Sequence, residues 1–229
     1  MTQPERVVWA VVAVTLAGVV ALGIWARSPA KPPAEPAPHV EEPSGRTPFE
    51  IVGEAQVRTT ELLPEPAGEL GSYPVVERSG RETNTSELRG KFVVANFIFT
   101  NCGGPCPAMS QQMAELQTAL KPFDDVLLVS FTVDPERDTP QVLTEYAQRY
   151  GADKDRWLFL RAEMGKLREI AYDQLHLVAS RDEPVLHSKQ FALLDREGRV
   201  VAYYSPSQDK NWQKKLLGDV ETLRRGKPQ

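Results

Sequence analysis

The sequence predicts an α/β domain built on a sheet of mixed direction, and three observations predict it. Strand-like and helix-like stretches alternate from Ser72 onward. Two of the strands, "KFVVANFIF" at 91–99 and "DVLLVSFTV" at 125–133, are nearly unbroken apolar runs. The last two strands read as a hairpin rather than as another crossover. Apolar runs of this kind belong to central strands covered on both faces. A hairpin after two crossovers brings antiparallel pairing into a parallel sheet.

The elements are justified in chain order. Residues 7–25, "VVWAVVAVTLAGVVALGIW", contain no charge. As a helix they would span about 28 Å, close to the hydrocarbon core of a bilayer. Trp9 and Trp25 stand near the two ends, where indoles favour the interface. The run is longer than the apolar part of a cleaved leader, and "GIWARSPA" is a poor cleavage site. The expectation is a single transmembrane anchor behind a short cytoplasmic tail at 1–6. Arg6 lies before the helix and Arg27 and Lys31 after it, so the positive charges do not orient it. A six-residue tail offers nothing folded on its side, which places the globular part outside a bacterial cytoplasmic membrane, facing the periplasm or the cell exterior. Residues 26–60 read as a tether, because the stretch 27–48 holds seven prolines and almost no large apolar residue. His39 falls in it and reads as a solvated linker histidine.

The globular domain is expected over 61–229. "YPVVERSG" reads as a strand and 91–99 as a central strand. "CPAMSQQMAELQTALKP" reads as a helix with Pro107 in its first turn and Pro122 as its stop. After the strand at 125–133, "DTPQVLTEYAQRYG" begins a helix with Asp138 or Thr139 as cap, Pro140 at its first position and Gly151 at its end. "RWLFLR" is a short strand and 163–175 a helix. "HSKQFALLD-REG-RVVAYYS" is the hairpin, and 209–225 a closing helix with a basic end. The formal net charge of −4 gives no electrostatic reason to expect nucleic acid as a partner.

The only two cysteines, Cys102 and Cys106, fall where the first central strand hands over to its helix. That is the end of the sheet where open α/β folds place their chemistry. Three readings of the pair compete. A structural disulfide this short would gain only about 2 kcal/mol, against about 4.5 kcal/mol for a bridge across the domain, so a staple is poorly placed here. A redox dithiol would profit from Cys106 at a helix start, where amide dipoles stabilise a thiolate. The spacer, however, has three residues rather than the two of a thioredoxin-type pair, and no Trp precedes the first cysteine. A metal site would use two thiolates four positions apart, pointing to one side of a turn. Soft sulfur selects Cu(I) or Zn(II), and one added imidazole would complete a three-coordinate copper site. Of the other histidines, His176 reads as packed within the domain and His187 stands at a strand start. Met109 and Met113 share the cysteine helix face and read as core packing rather than thioether ligands. Thr100 and Asn101 shape the loop.

The segments "GKFVVANFIFTNCGGPCPAM", "LLVSFTVDPERDTPQVLTEYAQRYGAD", "RWLFL" and "HSKQFALLDREGRV" together resemble the SCO/SenC family of membrane-tethered copper chaperones, over roughly residues 73–223. The resemblance implies a thioredoxin-like fold. It implies a copper site made of Cys102, Cys106 and His187, for Cu(I) and also Cu(II), and delivery of copper to the copper-bearing subunit of cytochrome c oxidase. It places Asp134 in the family's acidic loop, as a carboxylate that orients a ligand or tunes the site. Reduced cysteines are needed for Cu(I), so a thiol reductant of the thioredoxin type is a second implied partner. Such a carrier is not an enzyme. The rival readings are a thiol-disulfide oxidoreductase acting on the oxidase cysteines, and a redox or copper sensor. Many family members carry proline directly after the first cysteine; Gly103-Gly104-Pro105 stands here, which predicts a more pliable loop.

Overall fold

The computed structural model describes residues 62–178 and 188–226. The anchor expected at 7–25 and the tether at 26–60 lie outside the described residues. Among the described residues, no helix is long and apolar enough to cross a membrane.

Seven strands form one sheet. They are β1 (Pro74–Glu77), β2 (Glu82–Asn84), β3 (Phe92–Ile98), β4 (Val126–Thr132), β5 (Trp157–Arg161), β6 (Phe191–Leu194) and β7 (Val200–Tyr204), in the spatial order β2-β1-β5-β4-β3-β6-β7. The helices are α1 (Cys106–Ala119), α2 (Pro140–Arg149), α3 (Met164–Arg168) and α4 (Trp212–Arg224). β3, β4 and β5 run parallel, joined by helical crossovers. β6 pairs antiparallel with β3, and β7 with β6. The expected mixed sheet is therefore present, with its parallel part in the middle.

Every residue of β3 is buried, because its two sets of side chains enter two different cores. Phe92, Val94 and Ile98 pack with Met109, Met113 and Leu116 of α1 and with Leu143 and Tyr146 of α2. Val93, Ala95 and Phe97 face the other way, toward Leu167, Ile170 and Ala171. Two-sided cover is why this strand lacks the alternation of a half-exposed one. Met109 and Met113 are 4% and 0% exposed, so both are core residues, as expected. α4 closes the first core, its Trp212 ring stacked on Phe191 with centroids 4.9 Å apart.

Two elements differ from the sequence reading. The strand expected at "YPVVERSG" continues, past a turn at Gly80, into the short edge strand β2, whose "ETN" carries no apolar pattern to announce it. The helix expected over 163–175 is α-helical only through Arg168, then widens into a π-helical turn at Glu169–Gln174. His176 closes that turn with φ 47°, in the left-handed region. Gly68 passes so close that a Cβ there would lie 2.1 Å from the Gln174 carbonyl oxygen, with the His176 ring beside it. Half-buried packing is thus the structural role of His176.

Candidate metal centre

β3 delivers the cysteine loop. The strand ends with the Ile98 carbonyl accepting from the Val133 amide at 2.8 Å, which keeps β3 and β4 together to their common end. The chain then turns, the Cys102 amide donating to the Phe99 carbonyl at 3.3 Å. Pro105 begins α1 with no side-chain cap, and its carbonyl accepts from the Met109 amide at 3.0 Å. Cys106 is therefore the first residue of the helix and is buried, whereas Cys102 is half-buried on the loop before it.

Both cysteines are free thiols. The two sulfurs lie close enough to shift each other's titration, and the Gly104 amide donates to the Cys102 sulfur at 3.4 Å. The two thiols consequently titrate apart. Burial pushes Cys102 up, but hydrogen bonds from the Cys106 thiol, the Cys106 amide and the Gly104 amide outweigh it and hold this thiol below its ordinary range. Cys106 is pushed up to about 12, by burial first and then by the neighbouring Cys102. One sulfur is thus accessible and readily ionised, and the other is a sheltered proton donor to it.

Beneath Cys106 lies a buried hydroxyl pair. Ser110, one turn along α1, and Tyr146 of α2 are 2.8 Å apart between their oxygens. Burial is the first cause that raises the Tyr146 phenol, and charge on Cys106 also raises it. Nothing in the local sequence announced this contact, since the two residues come from different helices.

Neither glycine of the loop is in the left-handed region. A Cβ at Gly103 would meet nothing within 4 Å, and one at Gly104 would meet only the Cys102 sulfur, at 3.7 Å. The backbone found here is therefore one that ordinary residues also adopt. The extra freedom of the two glycines belongs to the chain's alternatives rather than to this conformation.

The loop after β4 holds two acids with different partners. The Asp134 carboxylate is half-buried and accepts from the exposed Arg137 guanidinium at 2.8 Å. Asp138 is 0% exposed and accepts from the amide and hydroxyl of Thr100 and from the hydroxyl of Thr132. Thr139, not Asp138, caps α2 by accepting from the Val142 amide. Asp138 is thus the acid joined directly to the cysteine loop, beyond the capping role that its position suggests. Its one signal in the sequence is an aspartate directly before Thr139-Pro140, a position that a helix cap also accounts for.

His187 lies outside the described residues. The next residue, Ser188, lies on the approach to β6. The register pairs Ala192 with Ala95 and Leu194 with Val93, so β6 starts at the end of the sheet where β3 delivers the cysteines. Among the described residues, no group of three or more His, Cys, Asp or Glu side chains could hold a metal ion. The described part of the centre contributes two converging soft sulfur donors, which fit a soft metal such as Cu(I).

Comparison with known proteins places this arrangement. The family model described as SCO1/SenC matches residues 63–222. The chain belongs to the SCO1/SenC family. A relative described as an SCO1 protein homolog, from Bacillus subtilis, is 30% identical over 159 residues, covering 67% of this chain and 82% of its own. Among solved structures, BsSco is 28% identical with a TM-score of 0.60, over 71% of this chain and 96% of its own. That protein is described as a member of the Sco family of cytochrome c oxidase assembly proteins with a disulfide switch. Yeast Sco1 with copper bound is 25% identical with a TM-score of 0.56, over 69% of this chain and 95% of its own. The mixed sheet of this SCO1/SenC member is thus the thioredoxin-like fold that the resemblance implied, and copper has been seen in relatives sharing it.

Proposed function

We propose that this SCO1/SenC protein is a membrane-anchored copper carrier. It holds one copper ion through Cys102, Cys106 and His187 and passes it by ligand exchange to the copper-bearing subunit of cytochrome c oxidase. The observation that carries the reading is the pair of free thiols of unequal burial, four residues apart where β3 hands over to α1. Copper is cargo here. An incoming donor from the acceptor reaches the half-exposed Cys102 sulfur first, and Cys106 at the helix start releases last. No electron changes hands in such an exchange, and each sulfur that leaves the metal takes up a proton. Asp134, facing Arg137 on the neighbouring loop, acts on the site through charge rather than as a ligand. The segment 7–25 anchors the protein in the bacterial cytoplasmic membrane, and the tether at 26–60 raises the carrier's effective concentration at a membrane-embedded acceptor.

The test is an anaerobic Cu(I) titration of the reduced full-length chain against His187→Ala. One equivalent bound tightly, and weakened by the substitution, supports the reading. Binding unchanged by the substitution removes His187 from the site.

A second reading is favoured by one observation, the lowered Cys102 thiol beside a sheltered Cys106. That asymmetry suits a disulfide reductase, in which Cys102 attacks and Cys106 resolves. Efficient reduction of insulin disulfides, together with Cu(I) binding indifferent to His187→Ala, would favour it. Either function needs an external thiol reductant of the thioredoxin type to return the pair to dithiol.

A further inference from the structure

A carboxylate buried in a protein is costly unless hydrogen bonds or a cation compensate it. Asp138 is fully buried, and among the described residues no lysine or arginine forms an ion pair with it. Its compensation comes from hydrogen-bond donors. The Thr100 hydroxyl donates to Oδ1 at 2.5 Å, and the Thr100 amide donates to Oδ2 at 3.1 Å. The Thr132 hydroxyl donates to Oδ2 at 2.5 Å. The Asp138 amide in turn donates to the Asp134 carbonyl at 2.9 Å, which fixes the aspartate to its own loop.

Two of those three donors belong to Thr100, which follows β3 and stands two residues before Cys102. Cys106 needs no such restraint, because α1 and the first core already hold it. Cys102 is on an exposed loop of small residues, tied through its own amide by the 3.3 Å bond to the Phe99 carbonyl. The distance between the two sulfurs therefore depends on where Thr100 directs the chain, and Asp138 fixes Thr100 to the end of β4.

We propose that Asp138 is a positioning residue, which holds Cys102 within reach of Cys106 by clamping Thr100 to Thr132. Its contribution to copper binding rests on the proposed function above, whereas its contribution to the sulfur pair does not. Asp138→Asn keeps the shape but turns an N–H donor toward one of three donors. Thr100→Val removes the hydroxyl donor and keeps the amide, whereas Thr100→Ser keeps both.

The test uses the full-length chain and two readouts. The first is the dithiol–disulfide equilibrium of the metal-free protein in a glutathione buffer. There the Cys102–Cys106 bond forms as two protons and two electrons pass to glutathione disulfide, giving two glutathione thiols. The second is Cu(I) affinity under anaerobic conditions. Asp138→Asn and Thr100→Val are expected to lower the disulfide-forming equilibrium constant about tenfold, a shift of about 30 mV. They are expected to weaken Cu(I) binding by about 10–100-fold. Thr100→Ser is expected to match the wild type in both. A merely structural role predicts lower melting temperatures with both readouts unchanged in the folded protein, and that result overturns the proposal. If Asp138→Asn does not fold, Thr100→Val against Thr100→Ser decides, and identical behaviour of those two overturns it. If the wild type binds no Cu(I), the copper reading fails and the disulfide equilibrium still judges Asp138.

Discussion

The Cys106 thiol is buried at the first residue of α1 while the Cys102 thiol beside it is half-exposed, and the two are shifted in opposite directions, so two thiols four residues apart are chemically unequal. The inequality follows from placement. The helix start draws Cys106 into the core beside Met109 and Tyr146, while the loop leaves Cys102 where solvent and a partner reach it. Alkylation of the reduced protein should therefore label Cys102 first, at a pH below the ordinary thiol range, and leave Cys106 protected until the protein unfolds. Peptide mapping of singly labelled protein checks this, and equal labelling of both would contradict the burial of Cys106.

The same burial makes stability fall on the alkaline side. Cys106 is raised to about 12 in the folded protein by burial, then by Cys102. Tyr203, whose hydroxyl donates to the Leu175 carbonyl, is raised to about 12 by burial as well. Tyr146 and Tyr204 are raised in the same direction, again by burial first. A group whose folded value lies above its unfolded one binds its proton more tightly when folded. The stabilisation is complete below the unfolded values, 9.0 for the thiol and 10.0 for the phenols, and is lost as pH rises toward 12. The lowered Cys102 thiol acts in the opposite sense, adding stability as pH rises toward 9. Urea midpoints of the reduced protein should therefore hold or rise slightly between pH 7 and 9 and then decline. Cys106→Ser should delay the onset toward the tyrosine range, and an unchanged onset would remove the thiol from the account.

Tyr146 and Ser110 give a stability test under the site. Tyr146→Phe removes one partner and leaves the Ser110 hydroxyl buried, at a cost of about 1–3 kcal/mol. Ser110→Ala alone leaves the Tyr146 hydroxyl in the same position. Because the two groups satisfy each other, the double variant should lose less than the sum of the singles. Urea denaturation of the four proteins closes the cycle, and strict additivity would show that the pair does not interact in solution.

How much of this was legible in the sequence depends on whether the cause was local. β3 and β4 were readable because two-sided burial writes itself as an uninterrupted apolar run. The cysteine loop was placed because strand, cysteine and helix follow one another along the chain. β2 was not readable, since three polar residues on an edge strand depend on pairing with β1 for their conformation. The π-helical turn at Glu169–Gln174 and the left-handed His176 were hidden for a similar reason: the close passage of Gly68, more than a hundred residues earlier, accompanies them. The role of Asp138 also escaped, because its partner Thr100 lies 38 positions away and a cap reading already accounted for an aspartate there.

Met113 separates core packing from a thioether ligand. Its side chain is fully buried among Val94, Ile98 and Leu116, with no exposed surface. Met113→Leu nearly conserves volume and should cost less than about 1.5 kcal/mol, whereas Met113→Ala opens a cavity and should cost about 2–5 kcal/mol. Cu(I) affinity of the folded Leu variant should equal that of the wild type. A marked loss of metal with stability intact would instead place the Met113 sulfur in the site.

Gly103 offers the opposite kind of change, one expected to stabilise. Its backbone is outside the left-handed region, and a Cβ there meets no atom within 4 Å. Gly103→Ala therefore adds no clash and removes conformations from the unfolded chain, a gain of about 0.4–1 kcal/mol. The same restriction acts on the reduced loop before it meets a metal or closes a disulfide, so fewer conformations must be given up to bring Cys102 against Cys106. Urea midpoints should rise modestly, and the dithiol–disulfide equilibrium should move toward disulfide. A destabilised variant would mean that the loop uses a conformation at Gly103 that other residues avoid.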